Sequence, residues 1–383
     1  MTRIVFAYDG SAAATAAIAW MRDMPTDAGG IEVVTLTLDL GQRDELDAAR
    51  SRALAAGAVR AHVLDVRESF AQDYLMPALR ADAACDDGMP MGVALSRPLI
   101  ARQLVDVARM EGATVVAYGG AAWRDAEEQA RMERAIRAIA PPSIVVLAPL
   151  VEWSPTDDEI EAFAEAQSIR LPRLTSRVAT DVWGRCGRVE APAPGSGPER
   201  GIAGGADDFV YTQTKSPEQA PETPAFVDVT FERGAPVGIS GVGMPLLEIV
   251  SSLETIAGAH GVGRSDALDG RVRVFCESPA ATVLDVAHRA LERAVLPADV
   301  HVPLAQVRVW YREIVRRGTW ASLAREAAQA FVDRVQADVT GTVTVKLSRG
   351  TCQVVAIDAA GDRDAGEGRQ TTHGKSVVGS ILR

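Results

Sequence analysis

Cysteine is scarce in this chain. Four cysteines in 383 residues are too few for a disulfide framework in a chain of this length, so free thiols or ligands are expected. A long apolar run is missing too, which excludes a membrane-spanning helix as the expected reading. Positive charge is in deficit: the formal net charge is -11, which argues against nucleic acid or an anionic membrane surface as the main partner. No charged leader and cleavage site precede the first apolar strand, so the cytoplasm is the expected location. What is present is 47% hydrophobic and 24% charged residues, the balance of a soluble globular chain. The length is too great for one ordinary core and points to two domains.

Hydrophobic periodicity places strands at 3–8, 31–39, 59–66, 114–117 and 143–149, alternating with helical stretches at 12–21, 44–56, 67–84 (interrupted near Pro77), from Pro98 onward, 124–139 and 157–167. Such alternation predicts an α/β fold with a doubly wound parallel sheet. Its ligand crevice lies at the carboxyl ends of the strands, so the loops after Tyr8, Asp39 and Ala117 face the site. Residues 191–207 are rich in Gly and Pro and read as a loop or linker. Strands at 209–214, 225–232, 271–277, 341–347 and 352–357, with helices at 245–258, 280–294, 303–317 and 320–337, predict a mixed α+β second domain. The expected division is 1–168, 169–360 and a polar, flexible C-terminal tail at 361–383.

Several collinear stretches carry a resemblance: Val5 to Tyr8, Asp39-Leu-Gly-Gln42, Phe70 with Tyr74, Arg97-Pro-Leu-Ile100, Trp183-Gly-Arg185, Phe231-Glu-Arg-Gly234, His260-Gly-Val-Gly-Arg264 and Glu277-Ser-Pro279. Together they resemble the argininosuccinate synthase family, N-type ATP pyrophosphatases. The resemblance implies an ATP-pyrophosphatase-like domain followed by a synthetase-like domain. It implies joining of citrulline to aspartate through an adenylated ureido oxygen, and a homo-oligomer. The family's phosphate loop is Ala-Tyr-Ser-Gly-Gly-Leu-Asp-Thr-Ser, whose small residues and hydroxyls cradle pyrophosphate. Here Asp9, Ser11, Ala13, Ala14 and Thr15 stand at five of its positions, and Gly10 alone is kept in the loop proper. A carboxylate ~4 Å from a phosphate charge costs about 1 kcal/mol in water and about 4 kcal/mol at the effective dielectric of a protein surface. Asp9, Gly10, Ser11 and Thr15 therefore read as a former phosphate loop, with Asp9 as a helix N-cap, and ATP is not expected as a cofactor. In the second nucleotide loop, Tyr118 to Glu133, Gly119 survives, and Gln129, Arg131 and Glu133 keep a similar helical register. The Thr, Lys, Asn and Asp of the family cannot be placed there.

At three positions where the resemblance implies citrulline-pocket residues, this chain has cysteine: Cys85, Cys186 and Cys276. Two further pocket positions hold Arg177 and Asp269. Cysteine is a small, easily buried space-filler, and that reading stands beside a functional one. Three thiols can hold zinc with an open position, or a [4Fe–4S] cluster with one iron open, or carry thiol redox chemistry. Arg97 is a candidate carboxylate binder and, with Asp269, a candidate catalytic residue. The expectation is an enzyme acting on a small polar or carboxylated substrate without ATP, with metal- or cluster-dependent lyase or hydrolase chemistry. The alternatives are an ATP-dependent C–N ligase with an altered substrate, and a non-catalytic partner subunit.

Overall fold

The protein is described by a computed structural model covering residues 1–26, 29–42, 46–86, 88–172, 178–190, 210–269 and 272–359. The linker at 191–207, Arg177 and the tail from 361 lie outside the described residues.

The first half begins β1 (Thr2–Ala7), α1 (Ala12–Arg22), β2 (Ile31–Asp39), α2 (Leu46–Ala55) and β3 (Arg60–Asp65). A bent helical run follows as α3 (Arg67–Phe70), a π-helical turn (Ala71–Leu75) and α4 (Met76–Arg80), then a small hairpin, β4 (Cys85–Asp86) with β5 (Met89–Pro90). Next come α5 (Gly92–Glu111), β6 (Val115–Ala117), α6 (Ala126–Arg137), β7 (Val145–Leu147), α7 (Pro149–Trp153) and α8 (Asp157–Ala166). The sheet order is β3-β2-β1-β6-β7, and every neighbouring pair is parallel. The chain winds one way from β1 to β3 and the other way through β6 and β7. The switch point, where ligands bind in such sheets, therefore lies between the ends of β1 and β6. Continuous apolar strands such as Ile4-Val5-Phe6 are buried on both faces, as a sheet covered by helices on each side requires. Alanines 13, 14, 16 and 17 let α1 lie close on this sheet beside Ile18 and Phe6.

The second half contains β8 (Val178–Asp181), β9 (Gly184–Glu190), β10 (Ala225–Glu232), β11 (Ala235–Ile239), β12 (Val242–Gly243), α9 (Leu246–Ala259), β13 (Arg264–Asp269) and β14 (Val272–Glu277). It ends with α10 (Pro279–Val295), α11 (Ala298–Arg317), α12 (Leu323–Gln336), β15 (Gly341–Ser348) and β16 (Thr351–Ala359). Two antiparallel sheets result, ordered β12-β11-β10-β15-β16 and β13-β14-β9-β8. One apolar cluster runs through both halves, joining Val5, Leu36 and Leu99 to Phe231, Leu253 and Leu284.

The architecture is the α/β fold expected, and among its local differences three have plain causes. Pro98 does not open a helix but lies inside α5. Its ring removes one bond to the Ala94 carbonyl, and the fully buried Leu95 and Leu99 on either side hold the helix through it. The break in the 67–84 stretch is the π-helical turn upstream of Pro77, which itself sits in the first turn of α4, where proline is tolerated. Residues 210–214 form no strand, because their N–H groups turn inward to Glu277.

Candidate functional site in the crevice and the four-stranded sheet

The loop after β1 makes its turn at Gly10, whose φ of +77° is one that glycine adopts without strain. Ser11, not Asp9, caps α1: its side chain accepts from the Ala14 N–H at 3.3 Å. The expected capping role of Asp9 is thus corrected. Its carboxylate reaches across the switch point instead. Oδ1 accepts from the Ser11 N–H at 3.0 Å and Oδ2 from the Ala121 N–H, in the loop after β6, at 2.7 Å. A side chain at Gly120 would collide with this carboxylate. Thr15 faces inward: its Oγ1 pairs with the Tyr8 hydroxyl at 2.8 Å and donates to the Ser11 carbonyl at 2.7 Å. Arg52, on α2, lies over the turn with Nη2 3.5 Å from the Gly10 carbonyl. Two N–H groups at the switch point, those of Ser11 and Ala121, are thus taken by Asp9, and the hydroxyl of Thr15 is turned to Tyr8.

The loop after β6 carries a chain of ion pairs. Asp125 caps α6, accepting from the N–H groups of Glu127 and Glu128 at 3.0 and 3.2 Å, and pairs with Arg188 of β9. Arg97, on α5, donates from Nε to Glu128 at 2.9 Å. Glu128 also pairs with Arg131. Burial alone would push the Glu128 carboxyl up, but the Arg97 and Arg131 guanidiniums outweigh it and hold it below the ordinary range. The candidate carboxylate binder Arg97 thus already holds a carboxylate. Trp123 is buried in the core beneath the Arg124 guanidinium, 4.3 Å from the ring centre. Asp269 ends β13, opposite Val272, and its side chain lies outside the described residues.

Of the three cysteines, the structure joins two and sets the third apart. Cys186 and Cys276 lie directly opposite on β9 and β14 and form a disulfide, with Cα atoms 4.2 Å apart. Paired in this way, neither sulfur is a thiolate ligand. Cys85 is buried on β4 next to the Trp183 indole, whose Nε1 donates to the Ala84 carbonyl at 2.9 Å. Burial, reinforced by the Asp285 carboxylate, pushes its thiol well above the ordinary range, which disfavours the thiolate a metal needs. Among the described residues no group of three or more His, Cys, Asp and Glu side chains is placed to hold a metal ion. The expected three-thiol site is therefore not assembled in this arrangement.

Two carboxylates emerge that the sequence reading left without a role. Asp181, at the end of β8, accepts from the N–H groups of Trp183 and Gly184 at 2.7 and 3.2 Å. It is buried against Gly92, the first residue of α5, where an added Cβ would meet the carboxylate. Burial pushes it up to about 7, against the pull of those two N–H groups and of Arg97. Asp181 lies beside a water-sized gap of about 10 Å³ lined by Gln213 and Glu254, and on its other side packs near Pro90, Val93 and Cys186 with no free space between them. Glu277, fully buried at the end of β14, gathers the N–H groups of Thr212, Gln213 and Thr214, the Thr214 hydroxyl and Arg185, at 2.8–3.1 Å. The one signal in the sequence was an Asp two residues before Trp-Gly, an Asx-turn pattern, and a Glu directly before the Ser-Pro that opens α10.

Comparison with known proteins agrees with this architecture. Residues 3–170 match the "Arginosuccinate synthase N-terminal HUP domain" and residues 202–362 the "Arginosuccinate synthase C-terminal domain". The argininosuccinate synthase of Oceanobacillus iheyensis is 36% identical over 364 residues, covering 92% of this chain and 83% of its own. That of Pelodictyon phaeoclathratiforme is 38% identical over 360 residues, covering 91% and 86%. That of Dehalococcoides mccartyi is 33% identical over 364 residues, covering 92% and 86%. Two matching domains in order, with relatives aligned along nearly the whole length, place this chain in the argininosuccinate synthase family.

Proposed function

We propose that this protein is an argininosuccinate synthase-like enzyme that works without ATP, its phosphate cradle being filled by its own Asp9. The observation that carries the reading is the Asp9 carboxylate bridging the Ser11 and Ala121 N–H groups across the switch point. Those are the positions at which a nucleotide phosphate would seek donors. A phosphate entering there would have to displace a covalently tethered anion and then sit against its charge. The residues present do not fit the family's nucleotide. Without the coupled cleavage of a triphosphate, C–N bond formation between a ureido group and an amine has no driving force. The direction left is cleavage, by water or by elimination, so lyase or hydrolase chemistry is the class that fits. The substrate is a small polar or carboxylated molecule. Arg97 and Arg188 at the crevice are each held by an internal carboxylate, Glu128 and Asp125, and either can exchange that partner for one on a ligand.

The test is calorimetric titration of the full-length protein with ATP, alongside pyrophosphate release in the presence of citrulline and aspartate. Neither heat of binding nor pyrophosphate is expected from the wild type, while Asp9→Ser, which removes the tethered charge, is expected to gain ATP binding. Steady pyrophosphate release by the wild type would overturn the reading in favour of a ligase. A thiol-held zinc or cluster is addressed by the same preparation made without oxygen and with a reductant. Stoichiometric metal lost in both Cys85→Ala and Cys276→Ala would place such a group on the reduced form.

A further inference from the structure

The four-stranded sheet brings four residues into one row on one face: Ser265 opposite Cys276, Cys276 opposite Cys186, and Cys186 opposite Ala179. The two sulfurs of the row differ in access. Cys276 is fully buried. Cys186 is half-buried, beside Pro90, Val93 and Asp181. Ser265 is the neighbour of Cys276 on its other side, and its hydroxyl is buried without a hydrogen-bond partner. A buried hydroxyl with nothing to bond costs free energy, so its retention calls for an explanation.

We propose that Cys186 and Cys276 form a thiol-exchange site for a low-molecular-weight thiol, with Cys186 as the attacked sulfur, Cys276 as the leaving one and Ser265 as the donor to the departing thiolate. The incoming thiolate forms a bond to Cys186 Sγ, and the Cys186–Cys276 bond breaks. Cys276 leaves with the electron pair and takes up the proton given up by the incoming thiol. A second thiol attacks the small-molecule sulfur of the mixed disulfide, releasing the small disulfide and the Cys186 thiolate, which is protonated in turn. Two electrons and two protons pass from two thiols to the protein. The direction follows from access, since exchange requires approach of a nucleophile to the sulfur attacked. Departure of Cys276 into an apolar interior is unfavourable unless a donor meets it, and the free Ser265 hydroxyl stands opposite. Cys85 and Cys352 take no part: burial raises both thiols, the latter to about 12. The site stands whether or not the crevice uses ATP, because it involves none of the cradle residues.

The experiment equilibrates the native full-length protein in glutathione buffers of graded ratio, quenches by alkylation and maps the labels by mass spectrometry. Cys186 and Cys276 are expected to gain labels together as the ratio becomes reducing, without denaturant. With oxidised glutathione, Cys276→Ser is expected to hold one glutathione on Cys186, and Cys186→Ser to hold none on Cys276. Ser265→Ala is expected to slow reduction about tenfold, the worth of one hydrogen bond to a charged group. It should also raise the pH at which Cys276 is alkylated in the Cys186→Ser background, which a purely structural role would not do. A pair that stays closed at every ratio until the protein is unfolded, or glutathione found on Cys276 or Cys85 in place of Cys186, would overturn the proposal.

Discussion

The crevice of the parallel sheet and the far edge of the four-stranded sheet each aim a carboxylate at backbone N–H groups, and they do it under opposite conditions. Asp9 is exposed and joins two loops whose bonded residues are 112 positions apart. Asp181 is buried, and both its N–H partners lie in its own turn. The number of donors is the same, yet burial pushes Asp181 up to about 7. Donor count therefore does not decide the protonation of a buried carboxylate, because two neutral N–H groups do not repay the lost hydration of a full charge. Glu277, on the same sheet and fully buried, is given more partners: three N–H groups, a hydroxyl and Arg185.

The largest effect is expected at Glu277. Glu277→Ala leaves three N–H groups and the Arg185 guanidinium without their acceptor in a closed site, at a cost of about 4–5 kcal/mol in unfolding free energy. Urea denaturation at neutral pH measures it, and a loss below about 1 kcal/mol would show that water enters to replace the carboxylate. Asp181 comes next, and its effect depends on pH. Its folded pKa is raised, so the folded protein holds a proton that the unfolded chain releases. Stability is full below the ordinary carboxylate pKa of about 4 and erodes as pH climbs to about 7, by about 4 kcal/mol if the shift is fully expressed. Asp181→Asn removes that pH dependence. The variant should gain on the wild type by about 2–4 kcal/mol at pH 8 and by almost nothing at pH 4. Equal differences at the two pH values would mean that Asp181 is hydrated and that its resemblance to Asp9 goes further than burial indicates.

The parallel sheet was legible because each strand is a continuous apolar run and each helix an amphipathic or alanine-rich one. The hairpin of β8 and β9 was not. Thr180-Asp181 and Arg185-Cys186-Gly187-Arg188 have no alternating pattern, and pairing with β14 makes them strands. The same holds within the site. The sequence pointed to Cys186 and Cys276 as two positions of one pocket, but only the register that sets them opposite reveals a disulfide in place of two ligands. At the turn after β1, Asp9 and Ser11 are both good caps. The choice between them was made by Ala121, which local spacing cannot reach.

Thr15→Val tests the inward-turned hydroxyl. The Tyr8 hydroxyl, buried and bonded to Thr15 and Arg52, would lose one partner at a cost of about 1 kcal/mol, read as a lowered urea midpoint with an unchanged slope. A neutral result would free Thr15 for a ligand and weaken the case for a closed cradle.

The finest distinction lies between Ser11 and Asp9. Ser11→Ala removes the cap of α1 and should cost about 1 kcal/mol, with faster hydrogen exchange at the Ala14 amide, its bonded partner. Asp9→Ala should leave that amide protected and speed exchange at Ala121, in a loop on the neighbouring strand. The two variants sit on one turn and remove one oxygen-bearing side chain each, so their exchange maps separate a helix cap from a bridge across the crevice. If Asp9→Ala instead loosened Ala14 and left Ala121 untouched, Asp9 would be an ordinary helix-end residue. The cradle would then be open to anions, and the contrast with Asp181 would lose its first member.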